Sequence, residues 1–113
     1  MPAAGASIEA IGDCNGIAAL VQNTRGGVIA RTGVGTYTLT LDRALNALDG
    51  AIFCTDDSGV ALPSIAAFNI VHTTDVVKTI TRIVFANGAA YAQPAAADGA
   101  FDVMAVRWSD CTG

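Results

Sequence analysis

Hydrophobic and polar positions alternate most strictly between Gly33 and Leu41, in GVGTYTLTL, where Tyr37, Leu39 and Leu41 share one face and Thr36, Thr38 and Thr40 the other. A period of two built from aromatic and β-branched residues predicts a half-buried strand. Gly33 and Gly35 at its start can turn the backbone without a Cβ penalty. A connector from Asp42 to Gly50 leads to a second apolar run, Ala51 to Thr55. Asp42 is a possible N-cap there, and Ala44 and Leu48 are four residues apart, so the connector predicts a short helix or a loop crossing the end of a sheet.

The same reading places further strands at Ile8–Ile11 (weakly), Val28–Arg31, Ile65–His72, Val76–Phe85 and Phe101–Trp108, with a short apolar run at Ile17–Gln22. Turn signals separate them: DCNG at Asp13–Gly16, NTRGG at Asn23–Gly27, DDSG at Asp56–Gly59 and the Asn87-Gly88 step. Ala92–Gly99 reads as a loop, and Pro63 can open a strand without losing a ladder bond. Seven or eight short strands with a turn about every ten residues predict an all-β protein, a jelly-roll-like β-sandwich. Residues 1–11 are expected to form an N-terminal arm and residues 12–113 a single domain, since no internal repeat or long linker divides the chain.

Composition adds an expectation about surfaces. Hydrophobic residues make up 52% of the 113 and charged residues 14%, against about a quarter charged in ordinary globular domains. The mean hydropathy is +0.48, but no run reaches the ~18 apolar residues that would span a bilayer. Either a small domain simply rich in alanine or an apolar surface covered by other subunits accounts for both numbers, and the second is preferred because obligate interfaces resemble a core cut in half. The net charge is −4 and Lys78 is the only lysine, so the clustered cations of a nucleic-acid or membrane-surface footprint are missing. The first dozen residues have neither the basic nor the apolar region of a signal peptide. Cys14, Cys54 and Cys111 lack the paired spacing of structural zinc sites, and free thiols are the default without an export signal.

Candidate chemistry is sparse. His72, the only histidine, stands near Asp75, but the chain lacks a nucleophile elbow, and Ser58, Ser64 and Ser109 fall in turn or loop contexts. Asp56, Asp57 and Gly59 lack calcium-loop spacing and read as a hairpin turn. GVG continues as a strand, not as the helix a dinucleotide fold requires. The reading is non-enzymatic, with no catalytic, metal or cofactor site. In Val76–Phe85 the charges Lys78 and Arg82 share a face with Ile80, a mixture that suits an interface or sheet edge better than a dry core. Lys78, Ile80 and Arg82 are therefore candidate interface residues, together with Ile8, Ile11, Arg107 and Trp108.

GVGTYTLTL, AIFCTDD and VFANGAAYAQPAAADGAFDVMAVRW together resemble small structural proteins of tailed-phage virions. The matching positions are Gly35, Tyr37 and Leu41 in an early strand, and Asp98, Phe101 and Val103 leading into a late one. The resemblance spans roughly residues 27–108. It implies a jelly-roll or related sandwich that decorates a bacteriophage capsid as a cement protein, often as a homotrimer. The partner would be the major capsid protein, the location the virion capsid surface after assembly in the host cytoplasm. The alternative is a tail-fibre or head-fibre module that binds a host-surface receptor or glycan, which would need aromatics exposed in a groove, and Tyr91 in a loop is the evident candidate. The chain has no long stalk or coiled-coil heptads, which favours decoration over a fibre tip.

Overall fold

A computed structural model describes residues 6–16, 22–57, 65–85 and 94–108. Nine strands are present among them, and no helix: β1 Ala6–Cys14, β2 Gln22–Arg25, β3 Gly27–Gly33, β4 Thr36–Leu41, β5 Gly50–Asp56, β6 Ile65–Val71, β7 Val77–Phe85, β8 Ala95–Ala96 and β9 Phe101–Trp108. The alternating stretch is β4, and Tyr37, Leu39 and Leu41 are all buried. β9 has the predicted ends, β6 and β7 differ from prediction by one residue, and β5 extends one residue further at each end. The connector 42–49 is a loop, one of the two forms expected for it.

The strands form two antiparallel sheets. One has the order β2-β1-β9-β5, and the other β3-β4-β7-β6. β8 pairs with Ile83 and Val84 of β7, beyond the part of β7 that β4 covers. The first strand pairs with the last, β4 pairs with β7, and β5 and β6 lie alongside each other across the two sheets. This nested pairing is the winding of a jelly roll. Inward-facing Ala10, Cys14, Ile52, Phe101, Val103 and Ala105 of one sheet meet Ile29, Tyr37, Leu39, Leu41 and Ile80 of the other. Leu45 dips into the same core from the connecting loop. The Phe101 ring lies 4.9 Å from Tyr37 and 5.4 Å from Phe68, within the range of favourable aromatic pairs.

Several expectations need correction. Residues 6–11, read as part of an arm, belong to β1, which is held between β2 and β9; residues 1–5 lie outside the described region. The Asp13–Gly16 turn signal is preempted because β1 continues through Cys14. Asn23–Arg25, read as a turn, pairs with β1, and Ala95–Ala96, read as loop, pairs with β7. In each case backbone pairing with a distant strand overrides the local preference. The 17–21 run, Gly59, Pro63, Asn87-Gly88 and Tyr91 lie outside the described residues.

Candidate interaction surface

The charged side chains inside this sandwich act mainly as clamps on its loops. Arg31 of β3 forks onto Asp98, with Nε 3.1 Å from both carboxylate oxygens and a terminal nitrogen 3.0 Å from Oδ2. Asp98 also accepts the Gly35 N–H at 2.7 Å, and Tyr37 Oη lies 3.1 Å away. The Tyr37 hydroxyl donates to the Gly16 carbonyl at 2.6 Å. Arg31, then the Gly35 amide and Tyr37, hold the Asp98 carboxyl down to about 2. Burial, then Asp98, pushes the Tyr37 phenol up to about 12. Gly35 has φ +64°, and a Cβ there would meet the Ala97 nitrogen at 2.5 Å. Glycine thus serves both the turn and the close approach of the 97–98 segment.

Lys78, Ile80 and Arg82, expected at an interface, face the other sheet instead and are at most 2% exposed. The reason is long-range. Lys78 Nζ donates to the Leu45 carbonyl at 2.6 Å and the Thr74 carbonyl at 2.8 Å. Arg82 Nε donates to Asp56 at 2.9 Å, and Nη1 donates to the carbonyls of Ala97 and Asp98 at 3.0 Å each. A buried cation is tolerated when carboxylates and carbonyls take its donors. Burial still shifts the Lys78 ammonium below its ordinary pKa. Arg107 is likewise engaged within the chain, with Glu9 and with the Ala44 carbonyl at 2.5 Å. Arg43 approaches the same Glu9 at 3.5 Å.

Ile8, Ile11 and Trp108 do reach the surface, and the fold gathers them. In β1 the register shifts between Ile8 and Ala10, with Glu9 as the extra residue. Two residues three apart would ordinarily face opposite sides of a strand. The bulge puts both Ile8 and Ile11 outward, opposite Val106 and Met104 of β9. β5 adds Ala51 opposite Val106 and Phe53 opposite Met104. Ile8, Ile11, Phe53, Met104 and Trp108 are each between 36% and 64% exposed. They make an apolar outer face on the β2-β1-β9-β5 sheet. A shallow depression of about 160 Å³, lined by Phe53, Thr55, Asp102, Val103 and Met104, opens at its β5 side.

Phe53 and Met104 are the residues that sequence reading missed. Their signal was available in FDVMAVRW. Phe101, Val103 and Ala105 fill the inner face of β9, yet the outer positions include Met104, Val106 and Trp108. A strand with one solvated face alternates apolar with polar, and β9 does so only at its start.

Beside the apolar face, Asp13 of β1, Asp57 just after β5 and Asp102 of β9 place carboxylate oxygens within 4.8 Å of one another. These are oxygen ligands of the kind a hard divalent cation takes. Without one they repel, and the Asp102 carboxyl is raised from its ordinary value, first by its hydrogen bond with Asp13 and then by burial and the neighbouring charges. No sequence spacing marks this trio, because its members meet only through strand pairing. His72 Nδ1 is buried without a hydrogen-bond partner, and burial followed by the charge on Lys78 lowers its pKa. The absent Nδ1 contact leaves the His72–Asp75 pair with no hydrogen-bonded dyad through that atom. Cys14 and Cys54 are free thiols, and burial pushes Cys54 up to about 12, the setting of a small, largely apolar side chain. Cys111 and Ser58, Ser64 and Ser109 fall outside the described residues. Compared with known proteins, the chain matches no family model, no curated protein and no solved structure.

Proposed function

We propose that this protein is a non-enzymatic structural component of a phage virion, a capsid decoration protein that stabilises the head by docking onto the major capsid protein. The observation that carries the reading is the apolar outer face of the β2-β1-β9-β5 sheet, centred on Ile11, Met104 and Phe53. Its five large apolar side chains are each between 36% and 64% exposed on one sheet face, and a cluster of exposed apolar groups of this kind marks an interaction site. The described cations except Arg25 are tied to loops or to carboxylates within the chain, so the face is free to act by shape and burial alone.

The resemblance of GVGTYTLTL and the Asp98–Val103 segment to tailed-phage virion proteins supplies the partner. A cement protein works by adding buried area across capsomer boundaries, which calls for complementary surface and no catalytic group. The test is co-sedimentation of purified protein with empty heads of the phage that encodes the chain, prepared without this protein. Saturable binding that Phe53→Glu and Met104→Glu abolish is the expected result. Absence of binding to any head preparation, or binding indifferent to both substitutions, would defeat the proposal.

A further inference from the structure

The two sheets have four edges, and they are not alike. β2 is only four residues long and ends in Arg25. β3 begins and ends in glycine, carries Arg31 and has a register shift between Arg31 and Gly33. β5 starts with Gly50 and ends on Asp56, whose carboxylate is held by Arg82. Short length, charge and bulges are the devices by which natural sheets discourage a further strand from pairing. β6 has none of them. Its seven residues, IAAFNIV, include no charge, proline or glycine, and they pair with β7 in unbroken register from Ile65↔Phe85 to Val71↔Thr79. Among the described residues no strand pairs with its other side.

The alternation of half-buried and exposed positions in β6 is symmetric about Phe68, from Ala66 to Ile70. In an antiparallel pairing of two copies about a twofold axis at Phe68, Ala66 falls opposite Ile70 of the second copy and Ala67 opposite Asn69. Phe68 meets itself. Ala66, Phe68 and Ile70 are the half-buried positions, and Phe68 and Ile70 already pack against the core. Ala67 and Asn69 are exposed. Inner positions therefore meet inner positions, small faces large, and no like charges are opposed although each chain carries −4 overall. Such an isologous contact uses up the edge in a closed pair and leaves nothing to propagate into a fibre.

We infer that β6 is a dimerisation edge: two copies of this chain pair β6 to β6 about Phe68, joining their β3-β4-β7-β6 sheets into one continuous sheet. The inference is independent of the virion role, because the apolar docking face belongs to the other sheet. A ring of three, as the family resemblance implies, requires two different patches that fit each other, whereas β6 fits itself.

The test is solution mass by light scattering and sedimentation down to low micromolar concentration, for the full chain and two double variants. A67K/N69K sets two lysine pairs against each other across the axis. A67K/N69E sets opposite charges at the same two places. Both variants alter exposed positions, and circular dichroism checks that each remains folded. The expected result is a wild type of twice 11.4 kDa, a monomeric A67K/N69K and a dimeric A67K/N69E. A monomeric wild type overturns the inference. So does any oligomer, a trimer included, whose mass A67K/N69K leaves unchanged, or an A67K/N69E variant that dissociates like A67K/N69K. Co-sedimentation with phage heads separates this from docking, since a folded monomeric A67K/N69K keeps its apolar outer face.

Discussion

Replacing Asp98 by asparagine isolates the charge at the centre of the Arg31–Gly35–Tyr37 cluster while keeping the size of the side chain. Asp98 is held at about 2, against an ordinary 3.8, first by Arg31 and then by the Gly35 N–H. A shift of this size, at 1.36 kcal/mol per pKa unit, corresponds to about 2 kcal/mol. The side chain is 29% exposed, so solvent screening reduces the expected loss to about 1–2 kcal/mol at pH 7. For a domain of this length that lowers Tm by about 4–8 °C. The pH dependence carries the sign. A carboxyl depressed in the folded state contributes stability that is present above its unfolded pKa and is lost as pH falls through the folded one. Thermal unfolding of wild type and Asp98→Asn should therefore differ fully above about pH 5. The two should converge between about pH 4 and pH 2. A difference that persists undiminished at pH 2 would refute the electrostatic account and assign the effect to hydrogen-bond geometry alone. Equal Tm values at pH 7 would remove the cluster from the fold's stability altogether.

Other consequences follow from the same geometry. Lys78→Ala leaves the Leu45 and Thr74 carbonyls without their buried donor and opens a cavity, a loss of about 3–5 kcal/mol. Faster hydrogen exchange at the Leu45 amide, which donates to Asp75, reports the freed loop. Gly99→Ala would place a Cβ 2.3 Å from Arg82 Cζ. Displacing that guanidinium from Asp56 should cost about 1–3 kcal/mol in denaturant unfolding. Asp102 is raised in the folded state, so it favours folding at low pH and that contribution disappears as pH rises. Asp102→Asn should accordingly raise Tm at pH 7 relative to wild type and leave no such gain at pH 3.

Much of this architecture was legible in the sequence, where alternation is local. β4 announces itself through Tyr37, Leu39 and Leu41, and β9 through Phe101, Val103 and Ala105. The β7 pattern was read correctly as Lys78, Ile80 and Arg82 on one face. Its location was not, because the carbonyls of Leu45, Thr74, Ala97 and Asp98 that make burial of two cations tolerable lie 4 to 33 residues away in sequence. β1 was legible only as the weak strand Ile8–Ile11, for a different reason. A bulge at Glu9 breaks the period of two, so ASIEAIGDC shows no consistent face, and the same bulge is what brings Ile8 and Ile11 together. The outer face itself was only half legible, since Ile8, Ile11 and Trp108 are visible as exposed candidates while Phe53 and Met104 join them through pairing of β5 and β1 with β9. Register, and not residue type, assembles that surface.

The proposal that this protein cements a phage head is tested most directly by the temperature at which such heads rupture and release DNA, with and without the protein bound. Heads stripped of the protein should rupture several degrees lower and recover on addition of wild type, while a Phe53→Glu/Met104→Glu chain of unchanged fold should give no recovery. Rupture at one temperature in all three preparations would contradict a stabilising role for the apolar sheet face.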